Sequence, residues 1–161
     1  MRRRLDWLIA GLAGSLALSM GVAWAQGPQG PTCHGAPSPY RLLVEVEGVK
    51  SDHGALVANV YGDDKQRWLA DNGWLNVWDD PAQPGAQTMC VYLPHAGRYA
   101  LVMFHDANAN GVLDQGLFGI PREGYGFSNN VRPHFHAPSL ASAAFPVNEG
   151  DTHLQIRLHY P

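Results

Sequence analysis

Along residues 42–47 the chain alternates between apolar and polar sides, with Leu42, Val44 and Val46 on one and Leu43, Glu45 and Glu47 on the other. A period of two is the pattern of a half-buried β-strand. Residues 55–61 repeat it with Leu56, Ala58 and Val60 in phase, and the turn-rich residues 50–54 between them make the pair read as a hairpin. Further strand-like stretches lie at 74–78, 87–93, 99–105, 143–147 and 152–159. Residues 99–104 are apolar almost throughout, which places that strand centrally with both faces covered. Residues 63–69 read as a short helix or turn capped by Asp63 or Asp64. About seven short strands with no sustained helical period predict an all-β chain, a single antiparallel β-sandwich of immunoglobulin-like or transthyretin-like kind.

One stretch breaks the rhythm. Residues 106–140 carry little strand signal, yet Leu117, Phe118, Ile120, Tyr125, Phe127 and Phe135 make them too apolar for disorder. A loop of that length inside a small domain is usually functional, so the candidate chemistry is sought there.

Ahead of the strands, Arg2, Arg3 and Arg4 precede an apolar stretch over 7–22 and then Ala23-Trp24-Ala25. Charged, apolar and small-x-small segments in that order make 1–25 a cleaved signal peptide. The apolar stretch is shorter than the roughly 20 residues a membrane anchor needs. Residues 26–40, rich in Gly and Pro, read as an extended arm, and 41–161 as one β-sandwich domain. No later stretch is apolar for long enough to span a membrane, so the mature protein is expected in the periplasm or outside the cell. Loss of Arg2, Arg3, Arg4 and Asp6 takes eleven basic and fourteen acidic residues to eight and thirteen, a net charge of −5. Without a basic stripe, nucleic acid is excluded as a partner. A composition of 45% hydrophobic and 16% charged residues, with 18 Gly and 12 Pro scattered along the chain, excludes disorder and coiled coil.

Export sets the reading of the two cysteines. Cys33 and Cys90 are expected to form a disulfide, which for a loop of nearly 60 residues stabilises by roughly 4 kcal/mol on chain-entropy grounds. Without Cys-x-x-Cys spacing, neither a zinc site nor a thioredoxin-like role is indicated.

Asp106, Asn108, Asn110 and Asp114 stand at positions 1, 3, 5 and 9 of a calcium loop, with Gly111 at the sharp turn and the Val112 carbonyl at position 7. Leu117 occupies position 12, where a bidentate acid belongs, and Glu123 substitutes only if the chain folds back. The affinity implied is modest, roughly 0.1 to 1 mM. The same letters also close a metal-free turn through side-chain to backbone hydrogen bonds. Calcium is thus the candidate ion for this loop, and no cofactor is required.

Tyr125 and Phe127 alternate with glycine ahead of Ser128, Asn129 and Asn130. The five form either a shallow recognition surface for a glycan or an envelope protein, or aromatics folded inward with amides capping turns. His105, His134 and His136 are the alternative metal set, for copper or zinc in the periplasm. His34, His53 and His95 read as solvated turn residues. Neither Ser128 nor Ser139 lies in a G-x-S-x-G elbow, and Asp79-Asp80 sits beside Pro81, so no catalytic residue is assigned and a non-enzymatic role is expected.

The run from Phe104 through His105, Asp106, Asn108, Asn110 and Gly111 to Asp114, followed by Gly126-Phe-Ser-Asn-Asn130, resembles small exported bacterial proteins of the domain of unknown function 2141 family. The resemblance covers about residues 42–160. It implies a signal peptide followed by one compact β-sandwich, and implies no reaction. The cysteine pair and the histidines after Arg132 depart from the commoner pattern of that family.

Overall fold

The seven strand-like stretches each form a strand in the computed structural model, which describes residues 31–133 and 136–161. The signal-peptide reading of 1–25, the first residues of the arm and His134 fall outside the described residues. Chain order runs β1 (Cys33–His34), β2 (Tyr40–Val49), β3 (Ala55–Gly62), β4 (Asn76–Pro81), β5 (Gly85–Leu93), β6 (Gly97–Asp106), β7 (Gly124–Phe127), α1 (Leu140–Ala143), β8 (Phe145–Val147) and β9 (Gly150–Arg157). One sheet has the order β1-β5-β2-β9, the other β4-β3-β6-β7, with β8 also paired to β6.

The expected hairpin of β2 with β3 does not form. β2 pairs β5 and β9, whereas β3 pairs β4 and β6, so the turn at 50–54 carries the chain from one sheet to the other. The physical reason lies in the alternation itself. Leu42, Val44 and Val46 need a cover, as do Leu56, Ala58 and Val60, and opposed sheets let each set cover the other. The sheets are not wholly antiparallel either, because β2–β9 and β1–β5 are parallel pairs.

Between the sheets Met89, Val91, Leu93, Leu101, Met103 and Ile156 complete a core in which most members are fully buried. Each such side chain contributes about 1.5 to 3 kcal/mol of hydrophobic stabilisation. β6 is buried on its other face too, as its composition predicted: Ala100 and Val102 pack with Tyr61, Phe127, Leu140 and Ala143. Trp68 and Trp74, from the β3–β4 connection, cover that second cluster. The connection is a turn rather than a helix, closed where Arg67 and Trp68 donate to the Asp64 carbonyl and Gln66 to its side chain.

The arm is held by more than its cysteine. Cys33 lies beside Cys90 in a parallel pairing and is joined to it by the disulfide. His34, expected in a solvated turn, instead pairs with Asp80 of β4 at 2.8 Å, tying the edges of the two sheets together. Among the described residues no helix is long and apolar enough to cross a membrane.

β7 was not expected, and its sequence shows why. Gly-Tyr-Gly-Phe has a period of two in which one face is bare. A Cβ on Gly124 would stand 2.3 Å from the Tyr160 ring and one on Gly126 2.6 Å from Ile156 Cγ2. Glycine lets the C-terminal stretch press against the strand, where Tyr125 and His159 exchange backbone hydrogen bonds at 2.9 and 2.8 Å. The sandwich is closed at that corner.

Candidate functional site

At the end of β6 the chain turns tightly around Asp106. Its Oδ1 accepts from the Asn110 amide at 3.0 Å and its Oδ2 from Gly111 at 2.6 Å, with Gly111 at φ +80°. Asn108 and Asn110 each accept from the backbone two residues on and donate their side-chain amides to Asp114, at 2.8 and 3.0 Å. Glu123 does fold back: Oε1 accepts from Ala107 N at 3.0 Å and Oε2 from Asp114 N at 3.1 Å. The return runs through a small hairpin, in which Gly116 donates to Ile120 O and Arg122 to Asp114 O. Asp106, Asn108, Asn110, Asp114 and Glu123 therefore meet in one loop, with Asp106 and Glu123 buried.

These carboxylates are satisfied by amides, and among the described residues none of the three acids forms an ion pair. Nor do three His, Cys, Asp or Glu side chains converge at ligating distance there. To hold a calcium ion, Asn108 and Asn110 must turn oxygen rather than NH2 inward, and the carboxylates must close on the ion.

The same loop walls a cleft of about 870 Å3 over the outer face of the second sheet. Asn59 and Tyr61 of β3, Val102 and Phe104 of β6, and Tyr125 and Phe127 of β7 make its floor. Leu69, Asp71 and Trp74 form one wall; Val112, Leu113, Gln115, Ile120 and Pro121 form the other, and His136 closes one end. Trp68 packs edge-on against Tyr61 with ring centroids 4.9 Å apart and donates its indole N–H to Pro138 O at 2.8 Å, which fixes the first wall to the segment after β7. Val112 and Ile120 expose apolar side chains on the second wall, as does Leu117 elsewhere on the same loop. Among the described residues Asp71 and His136 are the only ionisable lining residues besides the two tyrosines, and no Lys or Arg lines the cleft.

The five binding-loop residues separate into two groups. Tyr125 and Phe127 belong to the cleft, their rings 6.0 Å apart. Ser128, Asn129 and Asn130 are used inside the protein. Ser128 Oγ accepts from Leu101 N and donates to Ala143 O, joining β6 to α1. Asn129, at φ +60°, donates to Ser142 O and Ala144 O, and Asn130 pairs with Gln155 O and Arg157 N as a short substitute for a strand. Ser139 caps α1 by accepting from Ser142 N. Neither serine hydroxyl meets a histidine among the described residues.

Of the alternative metal set, the two described residues, His105 and His136, lie on opposite sides of β6. His105 faces the inner side of β6, with Nδ1 on the Tyr160 hydroxyl at 2.7 Å and Nε2 on His53 O at 2.8 Å. His136 lies on the outer side, in the cleft. A strand separates the two rings, and both nitrogens of His105 are engaged. His95 packs beside Tyr99, whose hydroxyl donates to the His95 carbonyl at 2.9 Å, while His53 is exposed. The cleft floor was missed from sequence, although the outward apolar positions Tyr61, Val102 and Phe104 were its signal.

Burial raises the pKa of Tyr61, Tyr99 and Tyr160 above the ordinary tyrosine value. Groups of that kind add stability that is complete below a pH of about 10 and is lost as pH rises through the folded-state value, because the unfolded chain ionises first. We expect alkaline unfolding above that pH, followed by circular dichroism together with tyrosinate absorbance. Tyr61→Phe is expected to move the transition to higher pH, and an unmoved transition would remove Tyr61 from the cause.

Taken together, the architecture defines a class: disulfide-linked two-sheet β domains with an acidic loop that walls an aromatic cleft. A family model described as an uncharacterized protein conserved in bacteria, the domain of unknown function 2141, matches residues 44–155, and the chain belongs to that family. No curated protein and no solved structure matches it.

Proposed function

We propose that this is an exported, non-enzymatic binding module that takes its ligand in the cleft over the second sheet, with calcium ordering the loop that forms one wall. The carrying observation is that the acid-rich turn and the cleft wall are one segment: residues 111–113, 115 and 119–121 line the cleft, interleaved with the acids Asp106, Asp114 and Glu123 of the same loop. A cation drawn to that loop sets the position of Val112, Leu113 and Ile120. Aromatic side chains below and few charges around them suit a glycan face or an apolar stretch of an envelope protein.

The disulfide supports an oxidising compartment, periplasmic or extracellular. The strand orders β5-β2-β9 and β4-β3-β6-β7, with the chain crossing between sheets at β2–β3, support a transthyretin-like reading of the sandwich over a set of plain hairpins.

Calcium tests the reading by thermal unfolding of the chelated protein. Ligand at 100 times its dissociation constant adds about 2.7 kcal/mol to a folded state that alone binds it. At modest affinity, calcium in the low millimolar range is expected to raise Tm, whereas Asp106→Ala shows no rise. A wild-type Tm indifferent to calcium counts against the calcium role, and equal rises in both proteins count against this loop.

A further inference from the structure

Arg132, Arg157 and His159 line a second cavity, of about 230 Å3, at the corner where the C-terminal stretch passes from the first sheet to the second. Gln155, Arg157 and His159 are alternate residues, so the strand period turns them to one side. Glu47 of β2 enters from across the parallel β2–β9 pair, and Arg132 from the segment after β7.

The charges there are unbalanced. Among the described residues Glu47 is the sole acid lining the cavity and is already held: Oε1 accepts from Gln155 Nε2 at 2.7 Å, and Oε2 from Arg157 Nε and a terminal nitrogen at 3.1 and 2.8 Å. That carboxylate answers one guanidinium. Among the described residues Arg132 forms no hydrogen bond or ion pair. The cavity thus carries one net positive charge on a chain whose formal net charge is −3, and two once His159 is protonated. Asn130 shapes the wall but is spent on the β9 backbone.

We propose that this cavity binds a phosphate-type oxyanion between Arg132, Arg157 and His159. Guanidinium groups suit such an anion because their N–H donors are planar, paired and always charged. Desolvation first, then Arg132 and Arg157, hold the free imidazole of His159 below its ordinary value. Glu47 from β2 and the Tyr125 backbone from β7 complete its surroundings. An anion between these cations reverses their repulsion, so binding raises the His159 value and strengthens as pH falls below about 6.5. The cavity shares no lining residue with the cleft, so failure of one reading leaves the other standing.

The test follows the His159 imidazole by NMR in the folded chain while inorganic phosphate is added, with chloride at matched ionic strength as control. In parallel, the chain is sedimented with vesicles of phosphatidylcholine alone or with phosphatidic acid, which separates a lipid headgroup from the free anion. Phosphate is expected to raise the imidazole pKa, and Arg132→Gln to weaken binding about tenfold. Tm without phosphate should not fall in that variant, since among the described residues Arg132 has no partner to lose. Binding to phosphatidic acid vesicles alone, lost in Arg132→Gln, assigns the site to the headgroup. No phosphate effect beyond chloride and no vesicle binding, or binding equal in wild type and Arg132→Gln, overturns the proposal.

Discussion

Replacing Cys33 and Cys90 together by alanine is expected to lower stability by about 4 kcal/mol. The bridge spans 57 residues, and closing a loop of that size removes this much conformational entropy from the unfolded chain. For a domain of this size the loss corresponds to a fall in Tm on the order of 15 °C. The effect should be larger than the contacts of β1 suggest, because two residues of strand contribute little by themselves. The disulfide also holds His34 where it meets Asp80, so the edge tie between the sheets should loosen with it. Urea unfolding of the oxidised, reduced and double-alanine forms checks this. The reduced and alanine forms should nearly coincide, and a loss below about 1 kcal/mol would mean that the unfolded chain is already constrained.

Gly54→Ala is the second large effect, expected at about 3 kcal/mol. Gly54 sits at φ +69° in the turn that carries β2 across to β3, a conformation that a side chain disfavours. A Cβ there would lie 1.8 Å from the Asp106 carbonyl oxygen and 2.9 Å from the Ala107 carbonyl carbon, and both are backbone atoms that cannot rotate away. Overpacking alone typically costs about 1 to 3 kcal/mol, to which the backbone strain adds. Because the clash falls on the first residues of the acidic loop, the variant should also lose calcium stabilisation beyond its loss in Tm. Gly85→Ala, also at positive φ but with open space around its Cβ, is the control. Equal effects at the two glycines would show that strain, and not the contact with Asp106, decides the cost.

The strands were legible because Leu42, Val44 and Val46, and Leu56, Ala58 and Val60, state their buried face with a period of two. Pairing was not, since alternation says that a face is covered without saying by which strand; hence the hairpin of β2 with β3 gave way to opposed sheets. β7 hid behind Gly124 and Gly126, whose missing side chains erase half the alternation while serving a close approach. At the site, the letters of residues 106–114 were enough to suggest a loop around Asp106, and Glu123 was named as the returning acid. The cleft itself needs three separated segments to meet, around Trp74, Val112 and Tyr125, which no local pattern records. The grouping of Arg132, Arg157 and His159 depends likewise on a C-terminal stretch crossing between sheets.

The central claim is that calcium fixes the loop walling the cleft, and amide hydrogen exchange over residues 107–122, with and without calcium, tests it most directly. Local opening of such a loop is expected to be far easier than opening of the core strands. The account predicts that calcium slows exchange at Ala107, Asn110, Gly111, Val112 and Asp114, whose amides bind the loop's side-chain oxygens, and extends protection toward Ile120, while β2 and β6 stay as they were. Identical exchange over 107–122 in both conditions would contradict it.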